Sequence, residues 1–534
     1  MLSAENSKEY MSKFEGYDYA ADGCRLRTFG VLFEADCPEE AVRKYKQGNV
    51  TFWRSWRGSF CGILQDTEKN ITLLFNDHIG SKTVFYTQTE QGLAWGTSVY
   101  DLARETGTTS LNGNYLWQML IYGYSPTGET VYTDIQRLQA GEYIYASGNH
   151  IEKRIYHRFD NTPNHLSIEE NIERIDAAFR KAVERAIRKN EEYGYTHFLP
   201  LSAGLDSRMT NRVAHELART PIHNITYSQT GYYDETTPRE LADYWHNEMH
   251  FTPLDGGDCL MHLDEVSRMT NGLIHYSGAA ETLYGLPEDA KARGGVFLTG
   301  MVGDIIVGTA FTSPDPTQMY HIGEGSIIHG HSEILQRVLP IGFEHIYPNR
   351  EIYYLYVRGF NCADLGSPLI HQQFGESYSP FCDVDVLEAA YAAPLEQRWN
   401  YRLYDRWILT KYPDMARWLH NGVDTIGHRH KRISLMGRSM TVTDLPKRIG
   451  WYILKHLHIH DFYQETEGKS MSPEDTWFAQ NEPLQKWSES YIRSNIALLD
   501  SFPEVQKTAL RFSRGNATER MQVLSLLACL RQTR

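Results

Sequence analysis

Hydrophobic and polar positions follow two different patterns along the chain. Before about residue 160, short stretches of β-branched and aromatic residues are bounded by Gly, Asp and Asn, which is typical of β-strands. The clearest of these stretches lie at 70–75, 83–86 and 141–146. The pattern predicts a strand-rich N-terminal part.

The second pattern begins after a turn-rich connector at 161–165. Apolar residues then recur every three or four positions, which predicts a long amphipathic helix. They are Ile168, Ile172, Ile175, Phe179, Ala182 and Ala186. Short apolar runs follow at 197–201, 224–228, 250–252 and 296–299. Helical stretches separate these runs, one predicted at 207–219 and another beginning at 237–240 with Pro238 in its first position. This alternation predicts a doubly wound parallel sheet covered by helices, and the pattern after about residue 320 is more helical.

Composition narrows the class of protein. The 534 residues allow two to four domains, and 53 basic against 67 acidic residues give a net charge of −14, which argues against a nucleic-acid partner. The sequence shows no apolar signal segment and no run long enough to span a membrane, so we expect a cytoplasmic protein. Seven scattered cysteines without a CxxC pair argue against a disulfide scaffold or a zinc ribbon.

The segment SAGLDSR at 202–208 follows the first predicted strand of the sheet. In open α/β sheets, ligands bind beyond the carboxyl ends of the strands, where the next helix presents its N-terminus. Gly204 would let an anion approach the backbone, Ser202 and Ser207 can donate hydrogen bonds, and Asp206 can hold Mg²⁺. The structural alternative is a plain turn in which a serine caps the helix.

A second glycine-rich segment, TGMVGDIIVG at 299–308, ends a later strand of the same sheet. Its Asp304 would face Asp206 across the sheet edge, and two carboxylates beside phosphate are suited to Mg²⁺. Alternatively, Asp304 caps a helix.

Together with later segments, these loops resemble the asparagine synthetase family, which includes β-lactam synthetases and lasso-peptide cyclases. SAGLDSR is similar to the family's SGGxDS, and TGMVGDIIVG is similar to SGEGSDEVFGG. The segment ESYSPFCD at 376–383 resembles EARVPFLD, and RHKRISLMG at 429–437 resembles RxKxxFxxG. Earlier segments at 58–64, 76–82 and 95–98 resemble the late part of the family's glutaminase domain.

The resemblance implies a fold and an activity. Residues 1–160 would form a truncated, sheet-rich α+β domain of the Ntn-hydrolase type, a degenerate glutamine amidotransferase. Residues 161–534 would form an α/β PP-loop domain, a doubly wound parallel sheet of the adenine nucleotide α-hydrolase type, with a helical C-terminal part. The activity would be that of a ligase that uses ATP and Mg²⁺ to adenylate a carboxylate, which ammonia or an amine then attacks.

The resemblance also assigns residues. Pyrophosphate would be held by Ser202, Gly204, Leu205, Asp206 and Ser207. Asp206 and Asp304 would bind Mg²⁺, Thr299 and Gly300 would line the AMP, and Tyr227 and Ser228 would lie beside the adenine. Lys431 would stabilise negative charge as the adenylate forms.

Three features depart from the family. Residue 2 is Leu where the family has its catalytic cysteine, and Cys61 lies within a predicted strand, so we expect no glutaminase activity. Met301 replaces a Glu or Tyr that handles the proton of the attacking amine, and a thioether is not a base. Arg208 replaces a Ser or Thr and would add a cation for phosphate or for an anionic substrate.

Several alternatives remain open. The acid can be a small molecule, a sugar uronate, a peptide or a β-amino acid that closes on itself, and the chain can be a homodimer. The other class of function is a non-catalytic, nucleotide-binding relative that senses ATP or binds a partner. A PP-loop enzyme that modifies tRNA is disfavoured, because it would need a basic face or catalytic cysteines. His456, His458 and His460 give only a weak indication of a metal site.

Overall fold

The computed structural model describes residues 13–308, 315–418, 432–435, 438–441 and 471–534. Its N-terminal part contains a six-stranded antiparallel sheet of order β1-β2-β3-β4-β8-β9 and a three-stranded antiparallel sheet of order β6-β5-β7. The strands are β1 (Asp18–Ala21), β2 (Cys24–Glu34), β3 (Arg57–Asp66), β4 (Ile71–Asn76), β5 (Phe85–Thr89), β6 (Gly92–Gly96), β7 (Gln136–Arg137), β8 (Glu142–Ser147) and β9 (His150–Ile155). The helices are α1 (Pro38–Lys46), α2 (Val99–Thr106) and α3 (Gly113–Tyr122). The predicted strands at 70–75, 83–86 and 141–146 are confirmed, with small shifts at their ends.

Strand β3 is buried on both faces, because its alternating side chains enter two separate hydrophobic cores. Phe60 and Leu64 pack in the core that includes residues of α1. Cys61 and Ile63 pack in the core that includes residues of β5 and β6. Burial raises the pKa of the Cys61 thiol to about 12. Cys61 is therefore a core residue, as the strand pattern predicts.

The second part contains parallel strands in the order β12-β11-β10 and β13-β14, and a parallel bridge between Thr196 and Gly294 places β10 beside β13. The strands are β10 (His197–Pro200), β11 (Ile222–Ser228), β12 (Glu248–Pro253), β13 (Val296–Leu298) and β14 (Glu376–Tyr378). The chain builds outward from β10 to the edge strand β12 and then returns to β13 on the other side of β10. The loops after β10 and β13 therefore face each other at a topological switch point, where ligands bind in such sheets.

Helices flank this sheet. They are α4 (Ile168–Tyr193), α5 (Leu205–Leu217), α6 (Tyr233–Trp245), α7 (Leu263–Met269), α8 (Ser277–Gly285), α9 (Glu288–Arg293), α10 (Gly303–Ile306), α11 (Ser332–Val338), α12 (Arg350–Tyr353), α13 (Ser367–His371), α14 (Val384–Ala392), α15 (Leu395–Arg398) and α16 (Arg402–Lys411). The predicted amphipathic helix is α4, and its Asn190 side chain exchanges two hydrogen bonds, of 2.7 and 3.1 Å, with the backbone of Val296 in β13. Tyr354–Phe360 forms a π-helix directly after α12.

The predicted start of α6 at 237–240 is wrong, because the helix begins at Tyr233 and Pro238 lies inside it. A proline at this position leaves the carbonyl of Asp234, four residues earlier, without its helical partner. The Thr226 hydroxyl in β11 donates a 2.9 Å hydrogen bond to that carbonyl instead. A tertiary contact therefore makes the internal proline tolerable.

The C-terminal segment is helical, as predicted. It contains α17 (Glu474–Gln480), α18 (Glu482–Asn495), α19 (Pro503–Phe512) and α20 (Ala517–Arg531). Two short antiparallel strands, β15 (Arg432–Leu435) and β16 (Arg438–Thr441), precede it. None of the described helices has the length and apolar character needed to cross a bilayer.

The N-terminal and C-terminal parts meet through one buried and one partly exposed ion pair. The ammonium of Lys82 pairs with the carboxylate of Glu376, and these side chains are 1% and 0% exposed. Arg57 pairs with Asp385 at 2.7 Å. The predicted boundary between domains at residue 160 stays a prediction.

Candidate functional site

A cavity of about 490 Å³ lies at the switch point, between the loops that follow β10 and β13. This volume is in the range of pockets that bind small molecules and nucleotides. The two loops contribute most of the residues predicted to bind ligand. They are Ser202, Gly204, Leu205, Asp206, Ser207, Thr299, Gly300, Met301 and Asp304.

The first loop presents the N-terminus of α5 to this cavity. Gly204 is the N-cap residue and no side chain caps the helix, so the alternative of a simple serine cap is wrong. Ser202 and Ser207 are joined through their hydroxyls at 2.9 Å, and the amide of Gly204 donates to the Ser202 hydroxyl at 3.2 Å. The first amides of α5 thus face the cavity with the positive end of the helix dipole, which favours an anion.

The amide of Ala203 donates a 2.7 Å hydrogen bond to the carboxylate of Asp234, at the start of α6. This contact anchors the first loop to helix α6. Asp234 also lines the cavity. Asp234 is not predictable from the sequence, because a carboxylate in a helical first turn is common and carries no motif.

The second loop approaches the first very closely at its glycines. A Cβ atom on Gly300 would lie 2.3 Å from the amide nitrogen of Ser207, and one on Gly303 would lie 2.8 Å from Cγ of Asp206. Val302, between them, has a φ of +59°, which is unfavourable for a β-branched residue. Such backbone strain is concentrated at functional sites.

The two predicted magnesium carboxylates are brought together by these contacts. The amide of Asp304 donates to Asp206 Oδ2 at 2.9 Å, and the Tyr404 hydroxyl donates to Asp206 Oδ1 at 2.7 Å. Burial, and then the charge of Asp304, raise the pKa of Asp206 above its ordinary value. The N-cap residue of α10 is Val302, so Asp304 is not the capping residue of that helix. Two carboxylates with excess negative charge fit a hard divalent cation such as Mg²⁺ that also contacts phosphate.

The other residues predicted to bind ligand do not all line the cavity. Tyr227 lines the cavity, and its hydroxyl lies 2.8 Å from that of Thr282. Ser228 is buried but is not among the lining residues, since its hydroxyl donates to the carbonyl of Gln229. Lys431 lies outside the described residues, as do His456, His458 and His460.

Arg208 is not a cavity cation, contrary to the expectation of a phosphate contact. Its guanidinium is buried behind the first loop and donates to the carbonyls of Met415, Trp418 and Ala203 at 3.1 to 3.2 Å. Burial lowers its pKa to about 10, which leaves the side chain charged at neutral pH. Arg208 therefore supports the backbone of the loop.

A smaller cavity, of about 30 Å³, lies between the two parts of the chain and shares Thr299 and Met301 with the large one. It has room for one or two molecules the size of water. The Thr299 hydroxyl is buried there and has no hydrogen-bond partner among the described residues. The Met301 carbonyl accepts a 2.9 Å hydrogen bond from the Ser379 hydroxyl.

Two further cavity residues, Tyr404 and His371, are not predictable from the sequence. Tyr404 is separated from Asp206 by 198 positions, and His371 packs its ring on Phe297 at 4.8 Å between centroids. Burial lowers the pKa of His371 to about 3, so its ring is neutral. No local pattern distinguishes either residue from core, and only the tertiary structure reveals them.

Comparisons with known proteins place this geometry in a family context. A glutamine amidotransferase domain model matches residues 10–157, and an asparagine synthase model matches residues 174–320. The first match begins well before residues 58–64, the earliest segment that suggests the resemblance. The second includes both cavity loops. The comparison with curated proteins found no match.

Two solved structures share 10% sequence identity with the chain and cover 42% of it. One is described as the allosteric regulatory enzyme of purine biosynthesis, with a TM-score of 0.17 and 49% of that chain covered. The other is glutamine phosphoribosylpyrophosphate amidotransferase from B. subtilis complexed with ADP and GMP, with a TM-score of 0.19 and 52% covered. The chain thus spans about half the length of these structures, and scores this low carry no argument about its fold.

The two domain matches occur in the order amidotransferase then asparagine synthase, and the second contains the paired loops and carboxylates described above. The chain is an asparagine synthetase family protein with a glutamine amidotransferase-like domain in its N-terminal part.

Proposed function

We propose that the protein is an ATP-dependent ligase that joins a carboxylate to ammonia or to a substrate amine through an acyl-adenylate. The observation that carries this proposal is the convergence of three groups on one cavity. They are the uncapped N-terminus of α5, the carboxylate of Asp206 and the carboxylate of Asp304.

In the proposed reaction, a carboxylate oxygen attacks the α-phosphorus of ATP, and the bond to the bridging oxygen of the β-phosphate breaks. Pyrophosphate would lie against the amides of α5 and the hydroxyls of Ser202 and Ser207. Asp206 and Asp304 would hold Mg²⁺, which neutralises charge on the phosphates when bound. The amine then attacks the acyl carbon, the amide bond forms, and AMP leaves with one carboxylate oxygen.

Three side chains would act by positioning the loops. Tyr404 orients Asp206 through its 2.7 Å hydrogen bond, and Asp234 holds the amide of Ala203. Arg208 holds the same loop from behind through the carbonyl of Ala203. Lys431 keeps the role that the resemblance implies, which is to stabilise charge on the adenylate.

The small cavity supports ammonia or a small amine as the nucleophile. It adjoins the nucleotide cavity at Thr299 and Met301, where the buried Thr299 hydroxyl offers a hydrogen bond. Met301 cannot accept the proton that the amine loses, so another group must take it.

We also propose that the amidotransferase-like domain does not hydrolyse glutamine. Enzymes of this type use the thiol of a cysteine whose own α-amine is the base. Cys24 and Cys61 lie within paired β-strands, and Cys37 is the residue before α1. None of these three cysteines carries a free amine, and the Cys61 thiol is protonated at neutral pH.

The test is release of pyrophosphate from ATP by the purified full chain, screened over small acids, uronates and peptides, with ammonium or amines. We expect release that depends on one acid class, is lost in Lys431→Ala, and is not supported by glutamine in place of ammonium. Nucleotide binding without release for any acid, unchanged in Lys431→Ala, would favour the non-catalytic alternative. Glutamate formed from glutamine would refute the second proposal. We expect the active protein in the cytoplasm.

A further inference from the structure

A second cluster of ligand-bearing side chains lies on the parallel sheet. Among the described residues, His223, Glu248 and His250 are the three whose donor atoms lie within 4.8 Å of one another in a possible metal-binding arrangement. His223 and Glu248 are register partners on β11 and β12, and His250 lies two residues further along β12. All three therefore project from the same face of adjacent strands.

The two imidazole nitrogens are separated by the distance found between ligands of a tetrahedral metal ion, and each lies near one oxygen of Glu248. His223 Nδ1 lies 3.4 Å from His250 Nε2 and 3.2 Å from Glu248 Oε2. His250 Nε2 lies 3.4 Å from Glu248 Oε1. Zinc–nitrogen bonds of about 2.0–2.1 Å at the tetrahedral angle separate neighbouring ligand atoms by about 3.3–3.4 Å. A single hydrogen bond between the two imidazoles would favour a shorter separation.

Neighbouring residues hold the two imidazoles in place, and partial burial favours the uncharged ring of His223. The ring of Phe198 packs beneath both imidazoles, at 5.3 Å from His223 and 6.1 Å from His250 between centroids. Burial lowers the pKa of His223, which favours the neutral ring that binds metals. The Glu248 side chain is 60% exposed, so an ion and a water molecule can reach the open side.

Two charges on α9 face the cluster. Asp289 and Arg293 form an ion pair with each other, and both interact electrostatically with His223. Because their charges offset each other, Glu248 leaves the cluster with a net charge of about −1 when the imidazoles are neutral. That charge favours a divalent cation.

We propose that His223, Glu248 and His250 form a binding site for a transition-metal ion of the zinc type. Two imidazoles and one carboxylate are a common zinc ligand set, and imidazole nitrogen selects such metals over Mg²⁺. The site is separate from the nucleotide cavity, because His223 and His250 lie in the first half of their strands and the cavity lies beyond the strands' carboxyl ends. The ion would join the edge strand β12 to β11.

The test is Zn²⁺ binding to the metal-stripped full chain, with excess Mg²⁺ present to occupy Asp206 and Asp304. We expect one equivalent of Zn²⁺ per chain and a higher Tm with Zn²⁺ than without it. The double variant His223→Ala/His250→Ala should lose this equivalent. Glu248→Gln should bind at least about tenfold more weakly and should lose the Tm increase.

His262→Gln is the matched control, since His262 is an exposed histidine 4.0 Å from Glu265 and outside the cluster. It should retain the full equivalent. Glu248 is exposed, so its variant keeps the test decisive if the double variant fails to fold. Absence of stoichiometric Zn²⁺ binding by the wild type, or binding unchanged in Glu248→Gln, would overturn the proposal.

Discussion

Substitution of Gly300 by alanine should separate the two loops of the large cavity. The added Cβ would lie 2.3 Å from the amide nitrogen of Ser207 and 2.5 Å from the carbonyl carbon of Asp206. Both are backbone atoms of α5, which cannot rotate away as a side chain can. Because ordinary contacts begin near 3.4 Å, the loops must move apart by about 1 Å. A displacement of about 1 Å at a reacting centre can cost about a hundredfold in rate.

The assay is acid-dependent pyrophosphate release, with kcat and the KM for ATP measured separately. We expect a loss of about a hundredfold in kcat/KM and a destabilisation of about 1–3 kcal/mol from overpacking. Gly278→Ala is the control, because its Cβ would meet no atom within 4 Å and it lies inside helix α8. That variant should keep full activity. Wild-type kinetics in Gly300→Ala would refute the inference that the loops must touch.

Asp304→Asn should lower pyrophosphate release by about a hundredfold or more, and should raise the Tm without nucleotide because it removes charge repulsion with Asp206. Tyr404→Phe removes the hydroxyl that orients Asp206, so we expect a higher requirement for Mg²⁺ and a rate roughly tenfold lower. Lys82→Met leaves Glu376 charged and buried, which should cost about 3–5 kcal/mol in chemical unfolding. The double variant Lys82→Met/Glu376→Gln should recover much of that loss.

A matched control exists for Tyr404→Phe, and a defined result would contradict each of the other two predictions. Tyr412→Phe is matched to Tyr404→Phe, because the Tyr412 hydroxyl also donates at 2.7 Å to a buried carboxylate, that of Asp176, away from the cavity. It should leave the Mg²⁺ requirement unchanged. A lower Tm in Asp304→Asn would contradict the repulsion argument. Equal stabilities of Lys82→Met and the double variant would show that the ion pair does not account for the effect.

Much of the sheet is predictable from the sequence, because its inner strands, such as β10 and β13, are largely buried and read as short apolar runs. The periodicity of α4 and the Gly-containing loop after β10 are equally local signals. The start of α6 cannot be predicted from such a local signal. Pro238 is tolerated inside the helix because Thr226, in strand β11, donates a hydrogen bond to the carbonyl of Asp234. The sequence pattern around Pro238 therefore predicts a helix start at 237–240, whereas the contact with Thr226 allows the helix to begin at Tyr233.

The candidate site likewise has features that the sequence predicts and features that it does not. Asp206 and Asp304 each follow a strand of the same sheet, so their convergence is predictable from topology. Arg208 differs, because its position in the loop suggests a phosphate contact while its side chain turns toward the carbonyls of Met415 and Trp418. The direction of a side chain on a helix depends on what packs against that helix, and here the partner segment lies about 200 residues away in the sequence.

The most direct test of acyl-adenylate formation uses a substrate acid labelled with ¹⁸O in its carboxylate, once the screen has identified one. In the proposed reaction, the carboxylate oxygen attached to the α-phosphorus stays there when the amine displaces AMP. Mass spectrometry should therefore find one ¹⁸O atom in the phosphoryl group of AMP, together with unlabelled pyrophosphate. Label in inorganic phosphate with ADP as the other product, or AMP without label, would contradict the proposed mechanism.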